Sequence, residues 1–183
     1  GESTVEIGAH YFAHVLGLRD HLDREQVRKF GFRFFFSEGR MDVDRCTELG
    51  VSRLLPTPSW QIDRGRFENF LGKRALGLGV DFRDAAIVRA IELGEGDDAH
   101  RVTFERDGAQ AALSSRWVVD ASGRVALLKR KLGLAQDNDH DANAAWWRVE
   151  GRIDPNTWSD DPQWLARCTP PDRWRSTNHM CGP

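Results

Sequence analysis

His10 and His14 stand four residues apart in AHYFAHVLG, where Tyr11, Phe12, Val15 and Leu16 recur at helical spacing. Their imidazoles can therefore share one helix face and ligate a metal. No further ligand accompanies them and the Glu of a zinc-protease motif is missing, so they read as two polar helix positions and no metal is expected. Asp137, Asp139, His140 and Asp141 gather in one stretch but lack the Gly and distal Glu of a calcium loop, which leaves a solvated loop. No Ser occupies a nucleophile-elbow pattern and no phosphate-loop signature occurs, which argues against a hydrolase or an NTPase. Gly77-Leu78-Gly79 follows a helix instead of opening one, and so reads as a C-cap. Val118-Val119-Asp120-Ala121-Ser122-Gly123-Arg124 is different. An apolar strand, a small-residue turn and a basic helix beginning near Val125 follow one another there, in the order of a nucleotide-binding corner.

These groups need elements to hold them. The spacing predicts a short helix over residues 9–17, stopped by Gly17, and a second helical pattern near 23–29. Lys29 then sits just before an apolar, aromatic strand in FGFRFFFSEG. Residues 41–58, with Pro56 and Pro58, read as a loop, and a short strand is expected around 60–62. Asp63 offers an N-cap for an amphipathic helix from 64 to about 76, with Phe67, Phe70, Leu71 and Ala75 on one face. Three β-like segments, 86–93, 100–106 and 111–119, are separated by turn sequences and predict an antiparallel meander. Residues 135–145 read as solvated loop, 146–153 as a return to strand, and the remainder as Pro- and Trp-rich loop. The fold class expected is α+β, with a three-stranded antiparallel meander, amphipathic helices and part of a mixed sheet.

Composition narrows the function. The 183 residues are 40% hydrophobic, enough for a sizeable core. Lys and Arg number 26 against 28 Asp and Glu, a net charge of -2 that gives no basic field for nucleic acid. No apolar run nears the roughly 20 residues that span a bilayer, so no membrane partner is expected and the chain reads as cytoplasmic. Cys46, Cys168 and Cys181 are odd in number and widely spaced, which fits neither a disulfide framework nor a paired-thiolate zinc site. Trp146, Trp147, Trp158, Trp164 and Trp174 crowd the last quarter and suggest an aromatic wall, with core filling as the commoner reading.

Four segments, in this order, resemble the FAD-dependent monooxygenases of the hydroxybenzoate-hydroxylase fold, and within them the flavin-dependent halogenases. Gly1-Glu2-Ser3-Thr4 is similar to that family's Gly-Glu-Ser loop beside the isoalloxazine ring. Lys29-Phe30 falls where the halogenases carry an active-site lysine. Trp60 to Glu68 resembles an Asp-Arg-x-x-Phe segment whose arginine, here Arg64, reaches the cofactor. A guanidinium at a helix start can clamp a pyrophosphate bidentately. Val118 to Arg124 resembles the family's Asp-Ala-Ser-Gly segment, so Asp120 is expected near ribose and Gly123 beside the phosphates, with Val88 near the adenine. The family's Gly-x-Gly-x-x-Gly, Trp-x-Trp-x-Ile-Pro and Gly-Asp segments are missing. The chain is accordingly expected to be an internal piece of an FAD-binding α/β fold, residues 1–133 from its cofactor part and 134–183 from the start of its substrate part.

The resemblance implies FAD as cofactor and a small aromatic substrate and halide as partners, with a separate flavin reductase as a candidate partner. It implies that reduced FAD and oxygen form a hydroperoxide, that halide converts this to hypohalous acid, and that Lys29 handles the oxidised halogen. Two alternatives stay open. One is a hydroxylase or reductase of the same fold in which Lys29 is structural; the other is a non-enzymatic binding module whose Trp-rich tail covers a partner or ligand.

Overall fold

A computed structural model describes residues 2–137, 139, 142–146 and 149–182. In chain order its elements are α1 (Glu6–His10), α2 (Arg19–Glu25), β1 (Val27–Lys29), β2 (Phe32–Phe36), β3 (Thr47–Gly50), β4 (Ser59–Gln61), α3 (Arg64–Gly77), β5 (Ile87–Glu92), β6 (His100–Arg106), β7 (Ala109–Ser115), α4 (Leu127–Lys131), α5 (Pro162–Arg167) and β8 (Thr177–Cys181). They divide into two compact units, residues 1–77 with 148–183, and residues 78–147. No described helix is long and apolar enough to cross a membrane.

In the first unit α1 runs directly into a π-helical turn, Tyr11–Val15, and the chain leaves it through Gly17. Ala9 and Ala13 from this segment, with Leu18 and Leu22 from the cap and body of α2, pack with Trp60, Ile62 and Phe67 into one buried cluster. Each large apolar side chain so buried contributes roughly 1.5–3 kcal/mol relative to exposure. The α3 helix follows its sequence signals closely: the Asp63 carboxylate accepts from the Arg66 amide at 3.1 Å, and Phe67 turns inward.

Three expectations are corrected in this unit. The second helix ends at Glu25, and Val27–Lys29 is a strand paired antiparallel with β4, Lys29 opposite Ser59. Lys29 thus precedes the aromatic strand as expected, but it closes a strand of its own instead of a helix. Residues 47–50, read as loop, pair with β2, and Thr177–Cys181 pairs parallel with β2 on its other side. The sheet order is β3-β2-β8, a mixed sheet. Polar composition hid β3 because its one inward carboxylate, Glu48, is neutralised from across the sheet. Arg33 donates to both its oxygens at 2.8 and 3.1 Å, Arg173 adds a 2.8 Å bond, and Arg167 lies 3.7 Å away. Beside this ionic cluster Phe35, Cys46, Trp164 and Cys168 form a second apolar core.

The second unit is the expected antiparallel meander, β5-β6-β7, with a bulge between Val88 and Ala90. Its last strand stops at Ser115, short of the predicted 119. Trp117 and Val119 are 84% and 87% exposed, and among the described residues no strand pairs with theirs, so neither ladder nor apolar cover holds them extended. Residues 149–153 are not a strand either, and 147 and 148 lie outside the described residues. The proposed solvated loop at 137–141 also falls largely outside them, at 138, 140 and 141.

Candidate lysine and cofactor sites

The segment Glu2–Thr4 is held against β4 by short bonds. The Thr4 amide and hydroxyl both donate to the Trp60 carbonyl, the Trp60 amide donates back to the Thr4 hydroxyl at 2.8 Å, and Ile62 donates to the Glu2 carbonyl at 2.6 Å. Ser3 bridges to Gln61, the residue that Val27 of β1 pairs from the other side. This places the loop within reach of Lys29. Its side chain is 2% exposed, and Nζ donates to the Thr4 carbonyl at 2.6 Å and to Ser3 Oγ at 3.1 Å. Nζ also lies 3.7 Å from the centroid of the Phe32 ring. Ser3 Oγ shares a further hydrogen bond, 3.1 Å long, with Thr177 Oγ1.

Burial pulls the Lys29 amine below its ordinary pKa, opposed by the Glu6 carboxylate. Phe32 was legible as part of the aromatic strand, but nothing in the sequence marked Thr177 or joined the two. They meet because β8 pairs in parallel register with β2, Phe32 opposite Thr177. On the same sheet Phe34 stacks on His179 with centroids 4.7 Å apart, and Phe32 lies 5.6 Å from that imidazole.

Val88, Asp120 and Gly123 belong to the second unit and gather around α4. Asp120 accepts from the Ser122 amide at 2.9 Å and the Leu128 amide at 2.8 Å. The Ser122 hydroxyl first, and then these amides, hold its carboxyl below the usual carboxylate range. Gly123 has φ +63, a conformation that favours glycine in the turn leading to α4. Val88 lines a cleft of about 450 Å³ with Arg89, Ala90, Ile91, Glu92, Leu127 and Lys131. Apolar walls from Val88, Ile91 and Leu127 suit a flat base, and the cation of Lys131 suits phosphate, so the residues present fit the adenosine end of such a cofactor.

The remaining site residues are placed as follows. Arg64 is the first residue of α3, half-exposed and paired with Glu68, its Nε donating at 2.7 Å. Gly1 lies outside the described residues. The His10 and His14 rings do share a face, 4.7 Å apart. The three cysteines are free thiols. Trp164 fills core, whereas Trp146 and Trp158 are exposed.

Residues 12–179 match the family model described as FAD binding domain. Among curated proteins, the chain is similar to flavin-dependent halogenase armH3 of Armillaria mellea, with 28% identity over 123 residues covering 63% of this chain and 24% of that protein. It is also similar to flavin-dependent halogenase chlA of Dictyostelium discoideum, with 26% identity over 206 residues covering 100% of this chain and 33% of that protein. The crystal structure of CmlS, a flavin-dependent halogenase, shares the fold over 73% of this chain and 24% of its own, with a TM-score of 0.58 and 22% identity. The chain thus spans between about a quarter and a third of the length of these relatives. With the family model covering nearly all of its length, the chain belongs to the FAD binding domain family, and its cofactor is FAD.

Proposed function

We propose that this chain is part of a flavin-dependent halogenase acting on a small aromatic molecule, with Lys29 as the residue that handles the oxidised halogen. The observation that carries the reading is the pair of bonds from Lys29 Nζ to Thr4 O and Ser3 Oγ. They join the candidate catalytic amine to the loop that, by resemblance, borders the flavin ring. Similarity to two proteins named flavin-dependent halogenases supports it.

When bound, reduced FAD would supply the two electrons with which oxygen oxidises halide to hypohalous acid, water being the other product, and a separate reductase would return the flavin to its reduced form. The chain's own residues do the rest. An ammonium has three donors; Thr4 and Ser3 take two, and the third would donate to hypohalous acid and fix it relative to the substrate. Burial moves Lys29 towards the neutral amine, the form able to be halogenated at nitrogen. Val88, Asp120 and Gly123 would hold the adenosine end and Glu2 and Ser3 would border the ring, with Gly1 leading that loop. Arg64 would exchange Glu68 for a phosphate. Such an exposed ion pair is worth about 1 kcal/mol or less, so releasing it costs little.

The test uses the full-length enzyme with FAD, a flavin reductase, chloride or bromide, and a panel of phenols, pyrroles and indoles. Halide-dependent product should vanish in Lys29→Ala while flavin reoxidation continues. Flavin reoxidation in the unaltered enzyme with only hydroxylated product, or none, would overturn the proposal.

A further inference from the structure

We infer that Ser3 and Thr177 form a reversible hydroxyl pair that positions Lys29 and accommodates its side chain in both protonation states. This deepens the proposed function, resting on Lys29 as the halogen-handling residue, and assigns Thr177 a positioning role. The geometry is a chain of two 3.1 Å contacts, from Lys29 Nζ to Ser3 Oγ and from Ser3 Oγ to Thr177 Oγ1, in which either hydroxyl of the second contact can be the donor.

Hydroxyls both donate and accept, which a carbonyl cannot. With Lys29 as an ammonium, Nζ donates to Ser3 Oγ and the Ser3 hydroxyl donates on to Thr177. With Lys29 neutral, the two bonds reverse: Thr177 donates to Ser3, and Ser3 donates to the amine lone pair. No heavy atom has to move between the two patterns. The Thr4 carbonyl accepts from an N–H in either state, more strongly from the ammonium, and keeps that bond whichever way the hydroxyls turn. Thr177 is held for this role by its backbone, whose amide donates to the Gly31 carbonyl at 2.8 Å.

The surroundings otherwise pull in opposite directions. β1 packs against α2, β4 and the turn Pro171–Arg175, and α1 packs on β4; among their charged groups Glu6 of α1 acts on Lys29 and favours the ammonium. The Phe32 ring face favours it too, and burial opposes it. A balance of this kind is tipped by one hydrogen bond. In the ammonium state Ser3 needs Thr177 as its acceptor, whereas in the neutral state it has the amine itself. Removing the Thr177 hydroxyl therefore favours the neutral amine.

The experiment follows the Lys29 titration by NMR in the full-length protein with 13C-labelled lysine, its signal assigned by its loss in Lys29→Gln. Thr177→Val, which keeps the side-chain shape, should lower the midpoint by up to about one pH unit, the scale of one hydrogen bond between neutral groups. Thr177→Ser should restore it to about the original value, because the hydroxyl is retained. If Thr177→Val does not fold, Ser3→Ala is read in its place, with the same downward shift expected. Titration of the folded hydroxyl-deleted variant at the unaltered midpoint overturns the inference. That outcome is distinct from failure of the halogenase reading, which is decided by product formation in Lys29→Ala and leaves the titration result standing.

Discussion

The two units hold themselves together by different means. In the first, α1, α2, α3 and β4 enclose one buried cluster, and β2, α5 and the Cys46 region enclose another beside a buried carboxylate ringed by arginines. In the second, Phe104 is the one buried apolar side chain among the described residues, while Ile87, Val88, Leu113, Trp117 and Val119 are exposed. The meander rests on its backbone ladders and on cross-strand pairs such as Arg89 with Glu105, 3.0 Å apart. The difference teaches where each kind of chemistry was placed. A lysine with a perturbed pKa needs a dry, fixed surround, and it sits in the unit with a core. The residues proposed to meet a nucleotide sit in the unit whose apolar side chains remain exposed.

Substitutions can test that contrast. The largest effect is expected for Glu48→Ala, which strands Arg33 and Arg173 with an uncompensated buried charge. Breaking a buried pair from one side costs about 3–5 kcal/mol, so urea unfolding should report a loss of that size. Amide exchange in β5–β7 should change far less, and equal loss of protection there would erase the contrast between the units.

A smaller effect depends on pH. His21 stacks on Phe70 with centroids 3.8 Å apart, and burial pulls its pKa below the ordinary value, with Glu25 opposing. The unfolded chain then takes up the proton first. Its contribution to stability is present above a pH of about 6.5 and is lost as pH falls through the lower folded-state value. Melting curves between neutral and mildly acid pH should show this decline, and His21→Gln should flatten it. A decline of equal slope in the variant would assign it to other groups.

The smallest effect is expected at Glu105→Gln in the meander. Its pair with Arg89 is partly exposed, and such pairs are worth roughly 0–1 kcal/mol. A loss well above that in urea unfolding would mean the second unit depends on ionic contacts more than on its ladders.

Much of this arrangement was legible because it is local. Asp63 before a 3.6-residue apolar pattern gave α3, and turn sequences at regular intervals gave the meander. The order of the loop, lysine, arginine and Asp-Ala-Ser-Gly segments pointed to FAD. What escaped was non-local. Nothing near residue 177 says that it will pair in parallel with residue 32, and nothing near 47–50 says that Arg33 will neutralise Glu48. Lys29 was placed beside the right strand but in the wrong element, because a three-residue strand defined by β4 has too little period of its own to be read. Trp117 to Val119 read as a strand for the opposite reason: its composition suits one, yet among the described residues it lacks a neighbour.

Gly31 carries one more consequence. It stands between β1 and β2 at φ +154, and a Cβ there would meet a Val51 methyl at 2.2 Å. In an uninterrupted strand residues 29 and 32, an odd number of steps apart, would point to opposite sides of the pleat. The kink resets that parity, so the amine of Lys29 can lie over the ring of Phe32. The meeting of charge and ring thus turns on a backbone reversal that one glycine permits within four consecutive residues.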